Sequence, residues 1–387
     1  MVLDNITDIP KKILLVAIDF PPVSGGISVS IYNFWRYFPS DRIVVLAPFH
    51  EEGRSFDIKQ SFTIYRTKKE RGKSLAGKML TVFDLFLETK RVIKKERINE
   101  VHCLHLNSTA LIGYFLKIFI GIDYHVYVFG AEFGKHRNLN LLQKIILNKA
   151  KMLIANSEFT KDVVKKEGIR NKNLIKVYPG VDLERYKPRL DFREIAKRHN
   201  LQGKKVIFTV SRLVPNKGFD TAIKVLPEVL RKIPTAVYII GGTGPCEKEL
   251  KELASQMNLK DKVIFTGFIP DEELPLHYNL CDVFLLLTRE IKGKGNVEGF
   301  GMVFIEANAC GKPVIGGRAG GTPDAIVDGR TGFLVDPLNL GEISEKLIEL
   351  LTDDDLAKTL GEEGRKRAVK DFYWQKISKE FWKLINS

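Results

Sequence analysis

Short apolar runs rich in Val, Ile and Phe recur along this chain, each followed by a longer stretch of helical periodicity, and the series stops and then starts again. In the first half KKILLVAIDF, DRIVVLAPF, SFTIYRT, EVHCLHLN, YHVYVFG and KMLIANS read as strands; in the second, KKVIFTVSR, AVYIIGG, KVIFTGF, VFLLLT and KPVIGG do. Strands that alternate with helices predict parallel sheets covered by helices on both faces. At 387 residues the chain also exceeds what one hydrophobic core sustains, about 250–300 residues. The expected fold class is therefore α/β, two Rossmann-like doubly wound domains facing across a cleft. They span residues 1–187 and 188–371, with a terminal helix over 372–387. The polar segment GVDLERYKPRLDFREIAKRHNLQG, which contains Pro188, is expected to link them. Ligands of such sheets bind outside the carboxyl ends of the strands, so function is sought in the loops that follow strands.

Charge narrows the partners. The formal net charge is +14, but residues 1–190 carry 32 Lys plus Arg against 19 Asp plus Glu, and the remainder is nearly balanced. The excess belongs to one domain, as expected where that domain faces a polyanion or an anionic surface. Arg66, Lys68, Lys69, Arg71, Lys73 and Lys78 crowd a stretch opposed only by Glu70, ahead of a helical pattern with Leu75, Met79, Val82, Phe83 and Phe86 on its apolar face. Such a loop and helix suit an anionic membrane surface, although a solvated basic face on a core helix has the same composition. No zinc-finger, RNP or helix-turn-helix signal is present, so no nucleic-acid partner is expected. The four cysteines form no CxxC pair, which argues against a disulfide scaffold or a zinc site. The first residues lack the apolar segment of a signal peptide. The greasiest stretch, 110–130, is interrupted by Lys117 and Asp123, so no membrane span is expected either. The expected location is cytoplasmic, peripheral on the inner face of the cell membrane.

Three loops carry candidate chemistry. Gly25 and Gly26 follow the first strand and open a helix, where free N–H groups can approach a phosphate; a tight turn alone would also favour them. Arg212 and Lys217 follow the first strand of the second domain, a planar fork beside a point charge, suited to a diphosphate. Two ordinary surface cations are the plainer reading. The segment Glu298-Gly299-Phe300-Gly301-Met302-Val303 opens another helix, a second anion site. Glu306 lies about two turns beyond Glu298, too far to share a metal but placed to accept hydrogen bonds from another part of one long ligand. The acidic run Asp353-Asp354-Asp355 falls in a C-terminal turn and reads as structural. No metal site and no cofactor are expected.

The spacing of Glu298 and Glu306 around Gly-Phe-Gly, with SRLVPNKG upstream and GRAGGTPDAIVDGRTGFLVDP downstream, resembles the family-four retaining glycosyltransferases of the GT-B fold. With DFPPVSGGIS, ANSEFT and KVYPGVDLERYKP the resemblance covers the whole chain, and it is nearest to the GDP-mannose-using mannosyltransferases that extend phosphatidylinositol mannosides. The resemblance implies a nucleotide-sugar donor as substrate and a lipid-linked or glycan acceptor. It implies that Arg212, Lys217 and Glu298 act at the reacting centre, with Glu306 on the ribose. Gly299, Phe300, Gly301, Met302 and Val303 would hold sugar and phosphate, Gly25 and Gly26 would close on the donor, and Phe268 and Ile269 would border the base. It also implies metal-independent front-face substitution and a C-terminal helix that crosses back onto the first domain. On the acceptor side the candidates are His105, Phe129 and Glu132; Phe129 stands where the family usually has His. His102, on the same strand as His105, is a further candidate to approach the acceptor, although a His on an apolar strand is more often a satisfied structural residue. Two competing functions are a sugar-nucleotide-binding protein without catalysis and a GT-B-fold nucleotide-sugar epimerase.

Overall fold

The computed structural model describes residues 11–23, 25–70, 72, 74–130, 139–291 and 297–386. Seven described strands build the first sheet: β1 (Ile13–Val16), β2 (Ile43–Phe49), β3 (Thr63–Glu70), β4 (Glu100–Cys103), β5 (Asp123–Val128), β6 (Met152–Ala155) and β7 (Leu174–Lys176). All pairs are parallel, in the order β3-β2-β1-β4-β5-β6-β7. Around it lie α1 (Gly26–Trp35), α2 (Gly53–Asp57), α3 (Leu75–Glu96), α4 (Thr109–Ile120), α5 (Leu141–Lys149) and α6 (Glu158–Lys166). The second sheet holds β8 (Lys205–Val210), β9 (Ala236–Gly241), β10 (Val263–Gly267), β11 (Val283–Leu286), β12 (Val314–Gly317) and β13 (Gly332–Val335), in the order β10-β9-β8-β11-β12-β13. Its helices are α7 (Arg193–Arg198), α8 (Phe219–Lys232), α9 (Glu247–Gln256), α10 (Leu274–Leu280), α11 (Met302–Ala309), α12 (Thr322–Ala325), α13 (Leu340–Thr352) and α14 (Asp354–Asp371), followed by α15 (Trp374–Asn386).

Helices on both faces explain why the strand sequences read as unbroken apolar runs rather than alternating ones: β1, β9 and β11 are buried along their whole length. Helix starts are marked by polar caps. Ser74 accepts from the Gly77 amide and Ser157 from the Thr160 amide, each at 3.0 Å, and Asn140 forms a capping box with Gln143. The acidic run has the same role, since Asp353 accepts from the Leu356 amide at 2.9 Å to cap α14, and Asp354 pairs with Lys205.

Each sheet reverses its winding once, between β1 and β4 and between β8 and β11. That reversal opens a crevice at the strands' carboxyl ends. α15 leaves the second domain for the first: Trp374 and Phe381 pack on Phe34, and the Ser378 hydroxyl donates to the Phe34 carbonyl at 2.6 Å.

Two features go beyond the sequence reading. The segment 180–203 is packed: Leu183, Tyr186, Ile195 and Leu201 are buried in the second core, Val181 bridges Tyr373, and α7 lies within it. Its buried residues are spaced among charges, so the segment is polar in composition yet packed. Strands β7 and β13 were not anticipated from the sequence. Among the described residues no helix is long and apolar enough to cross a membrane.

Candidate active site

The loop after β8 is anchored by Leu213, which is fully buried, and this leaves its neighbour Arg212 exposed at the strand's carboxyl end. Arg212 makes no ion pair among the described residues. A 3-10 turn at Pro215–Lys217 then lifts Lys217 toward the loop before α11, where its Nζ lies 2.5 Å from Glu298 Oε2. Arg289, after β11, fixes the start of α8 by donating to Asp220 at 2.8 Å and Thr221 at 2.7 Å, while its amide donates to the Asn216 carbonyl at 2.9 Å. This cation was not expected in the crevice, and its bonds make it a support for the Lys217 turn rather than a group awaiting a ligand.

The Glu298–Gly301 loop is squeezed from two sides, which explains its glycines. A Cβ on Gly299 would sit 2.2 Å from the Phe129 carbonyl oxygen of the first domain. Gly301 has φ +95 and starts α11 in a conformation that side chains with a Cβ rarely adopt. Behind them, the Gly321 amide donates to the Glu298 carbonyl at 2.8 Å. Phe300 is buried against Tyr178 and Phe372, so it anchors the loop and does not line the crevice. Met302 and Val303 are half-buried in the first turn of α11, whose leading N–H groups lack intrahelical acceptors.

Glu306 stands on α11 facing α10. The Tyr278 hydroxyl donates to its Oε2 at 2.8 Å, and burial pushes the Glu306 carboxyl up to about 6. Of the pair expected to border a base, Ile269 is 7% exposed and packs in the core, whereas Phe268 is 70% exposed at the end of β10. Of the two, only Phe268 is exposed.

On the first domain, Gly25 has φ +153 and precedes Gly26 at the start of α1; both are exposed. His105, just after β4, takes the Ile18 amide on Nδ1 at 3.4 Å and places Nε2 3.4 Å from Asp19 Oδ2. Asp19 follows β1, so the pair stands at the reversal point of the sheet. Sequence reading had not joined it to His105. Phe129 follows β5, half-buried against α15 and the Gly299 loop. Glu132 lies outside the described residues.

His102 belongs elsewhere. It is buried beside Glu100 and His125, with the Tyr127 hydroxyl 3.1 Å from its Nδ1, and burial pushes it down to about 3. Ligand atoms of Glu100, His102 and His125 lie within 4.8 Å of one another. The two rings, however, stack with centroids 4.3 Å apart and planes 5° apart. An ion between them would lie out of both ring planes, away from the nitrogen lone pairs. Glu100 Oε1 is hydrogen-bonded to His102 Nε2 at 3.3 Å and lies 2.9 Å from His125 Nε2, a buried carboxylate held beside two imidazoles.

The two domains are also tied by Asp324 of α12, whose carboxylate accepts the Glu158 and Phe159 amides, each at 3.2 Å, and the Tyr178 hydroxyl at 2.9 Å. A residue of the second domain thus caps α6 of the first.

This architecture matches known proteins along nearly its whole length. Residues 24–185 match the family described as Glycosyltransferase Family 4 and residues 191–367 the one described as Glycosyl transferases group 1. A GDP-mannose-dependent alpha-(1-6)-phosphatidylinositol monomannoside mannosyltransferase of Mycolicibacterium smegmatis is 33% identical over 94% of this chain and 95% of its own. The GDP-mannose-dependent monoacylated alpha-(1-6)-phosphatidylinositol monomannoside mannosyltransferase of Corynebacterium glutamicum is 28% identical, covering 97% of this chain and 98% of its own. Among solved structures, Anabaena HepE in complex with UDP and glucose superposes with a TM-score of 0.79 at 20% identity, over 97% of this chain and 99% of that one. Sucrose-phosphate synthase from Thermosynechococcus elongatus gives 0.79 at 19%, over 97% and 98%. The chain belongs to the family-four glycosyltransferases of the GT-B fold and is a glycosyltransferase.

Proposed function

We propose that the protein transfers a mannosyl residue from GDP-mannose to a lipid-linked acceptor, with retention of anomeric configuration and without a metal ion. The observation that carries this reading is the crevice between β8 and α11. There Lys217 pairs with Glu298 just ahead of the N-terminus of α11, Arg212 is exposed at the carboxyl end of β8, and Glu306 follows further along α11. The cleavage of a sugar–diphosphate bond develops negative charge on the leaving group, which two cations and a helix N-terminus can stabilise in place. Glu298 holds Lys217 before the donor enters and accepts sugar hydroxyls afterwards. Glu306 accepts the ribose hydroxyls, and Phe268 offers its face to the base. The bond from the sugar C1 to the phosphate oxygen breaks and one to the acceptor oxygen forms on the same face. The acceptor's hydroxyl proton passes to the departing phosphate oxygen.

Support for GDP-mannose over a uridine donor is the naming of the two full-length relatives. Support for a lipid acceptor and a membrane position is the first domain's charge together with exposed Met79, Leu80, Phe83 and Phe119 on α3 and α4. Each basic residue near an anionic surface contributes about 1 kcal/mol. Calorimetric titration with GDP, GDP-mannose and UDP-glucose tests the donor. Binding of the guanosine ligands at least tenfold tighter than UDP-glucose is expected; the reverse order would overturn the assignment.

A further inference from the structure

Two adjoining cavities in the first domain have opposite character. Between α3 and α4 lies a groove of about 920 Å³, within the usual range for small-molecule pockets. Its walls are apolar, with Phe83 and Phe86 from α3 facing Leu111, Phe115 and Phe119 from α4, and Lys78 is the one charged side chain among its described lining residues. Next to it is a more polar pocket of about 230 Å³, where Asp19, His50, Arg66 and Glu70 share the wall with Phe20, Val23, Pro48 and Phe49 at the carboxyl ends of β1–β3. Ile18 lines both. The segment just after β3 meets the groove as well, since the Gly72 amide donates to Thr81 Oγ1, and Thr81 lines the groove.

An occupant must therefore be amphiphilic, with a polar head at the reversal point beside Asp19 and His105 and an apolar tail running away between the helices. We propose that the groove takes one acyl chain of the lipid acceptor, drawn out of the bilayer while the head group sits in the polar pocket. This rests on the reading of the acceptor as a lipid. Lys78 at the groove gives it charge complementarity to an anionic lipid, which an apolar protein surface would not use. Each methylene taken from water into the groove contributes about 0.8 kcal/mol, so chain length would set acceptor affinity.

The test uses 11-(dansylamino)undecanoic acid below its micelle concentration, with no donor present. Saturable one-to-one binding is expected, displaced by lysophosphatidylglycerol. Leu111→Trp, which fills the groove, should weaken it at least tenfold; Val82→Phe serves the same purpose should Leu111→Trp fail to fold. Leu80→Asp lies on the outer face of α3, away from the groove lining, and should leave dansyl binding within twofold while weakening sedimentation with vesicles. Probe binding that is absent, or indifferent to both groove-filling changes, overturns the proposal. So does a dimer in sedimentation that the groove-filling changes dissociate, since the face would then be covered by a second copy. GDP calorimetry on the same preparations separates the two readings: GDP binding without probe binding sinks the groove alone, and probe binding without GDP binding sinks the donor assignment alone.

Discussion

The Tyr278 hydroxyl donates to Oε2 of Glu306 at 2.8 Å, so that a part-buried carboxylate on α11 is aimed and partly satisfied by a residue of α10. A carboxylate held in this way binds ligand hydroxyls without first being reorganised. Removal of one charged hydrogen-bond partner costs about 1.5–3 kcal/mol. Glu306→Ala and Arg212→Ala should each weaken GDP binding about 10- to 150-fold in calorimetry, and wild-type affinity in both would contradict the site.

Burial raises the Glu306 carboxyl to about 6. The folded protein then keeps a proton that the unfolded chain, with an ordinary value of 4.5, has released. The resulting contribution to stability is complete below pH 4.5 and is lost as pH rises through about 6. It amounts to about 2 kcal/mol. Denaturation of wild type and Glu306→Gln should therefore differ in pH dependence across this window, with the variant gaining relative stability toward pH 7. GDP affinity should move the other way and rise as pH passes 6, because ribose hydroxyls need the ionised acceptor.

The Glu100 carboxyl behaves oppositely. Burial alone would raise it, but hydrogen bonds and charge from His102 and His125 hold it well below the usual carboxylate range. Lys11 and Lys151 also reach Glu100 Oε2, at 3.8 and 3.3 Å. Its stabilising contribution is present above pH 4.5 and is lost on acidification. Glu100→Ala should destabilise the fold by about 3 kcal/mol at neutral pH, a gap that narrows in urea titrations at pH 3–4.

Asp324 caps α6 across the domain boundary, so its removal touches two domains at once. Asp324→Ala should lower stability by about 1 kcal/mol and open the cleft. Small-angle scattering should show a larger radius of gyration without GDP, which GDP reduces toward the wild-type value.

Membrane attachment is electrostatic in origin if the first domain's charge serves it. Sedimentation with anionic vesicles should weaken about tenfold or more when Lys68 and Lys78 are both neutralised, and should fall as salt rises. Salt-independent binding would assign the attachment to the apolar face alone.

Much of this was readable before the structure because the strand series dictates which loops reach the carboxyl ends of the sheets. Lys217 meets Glu298 ahead of α11 for that reason, and Arg212 is exposed at the end of β8. What stayed hidden depended on separate segments meeting. The need for glycine at 299 comes from the Phe129 carbonyl, far away in sequence. Asp19 and His105 become neighbours only because β1 and β4 pair. The burial of Ile269 beside an exposed Phe268 turns on which way each side chain leaves the end of β10. The polar composition of 180–203 concealed a packed segment, because its few apolar residues are the ones that bury.

The central claim is mannosyl transfer from GDP-mannose to lipid. It is tested most directly by incubation of the protein with GDP-[14C]mannose and phosphatidylinositol-containing vesicles, in EDTA, with the organic-soluble product analysed by NMR for its anomeric configuration. The account predicts labelled lipid carrying an α-linked mannose, formed without added metal and lost in Glu306→Ala. Label transferred only from UDP-glucose, or a β-linked product, would contradict it.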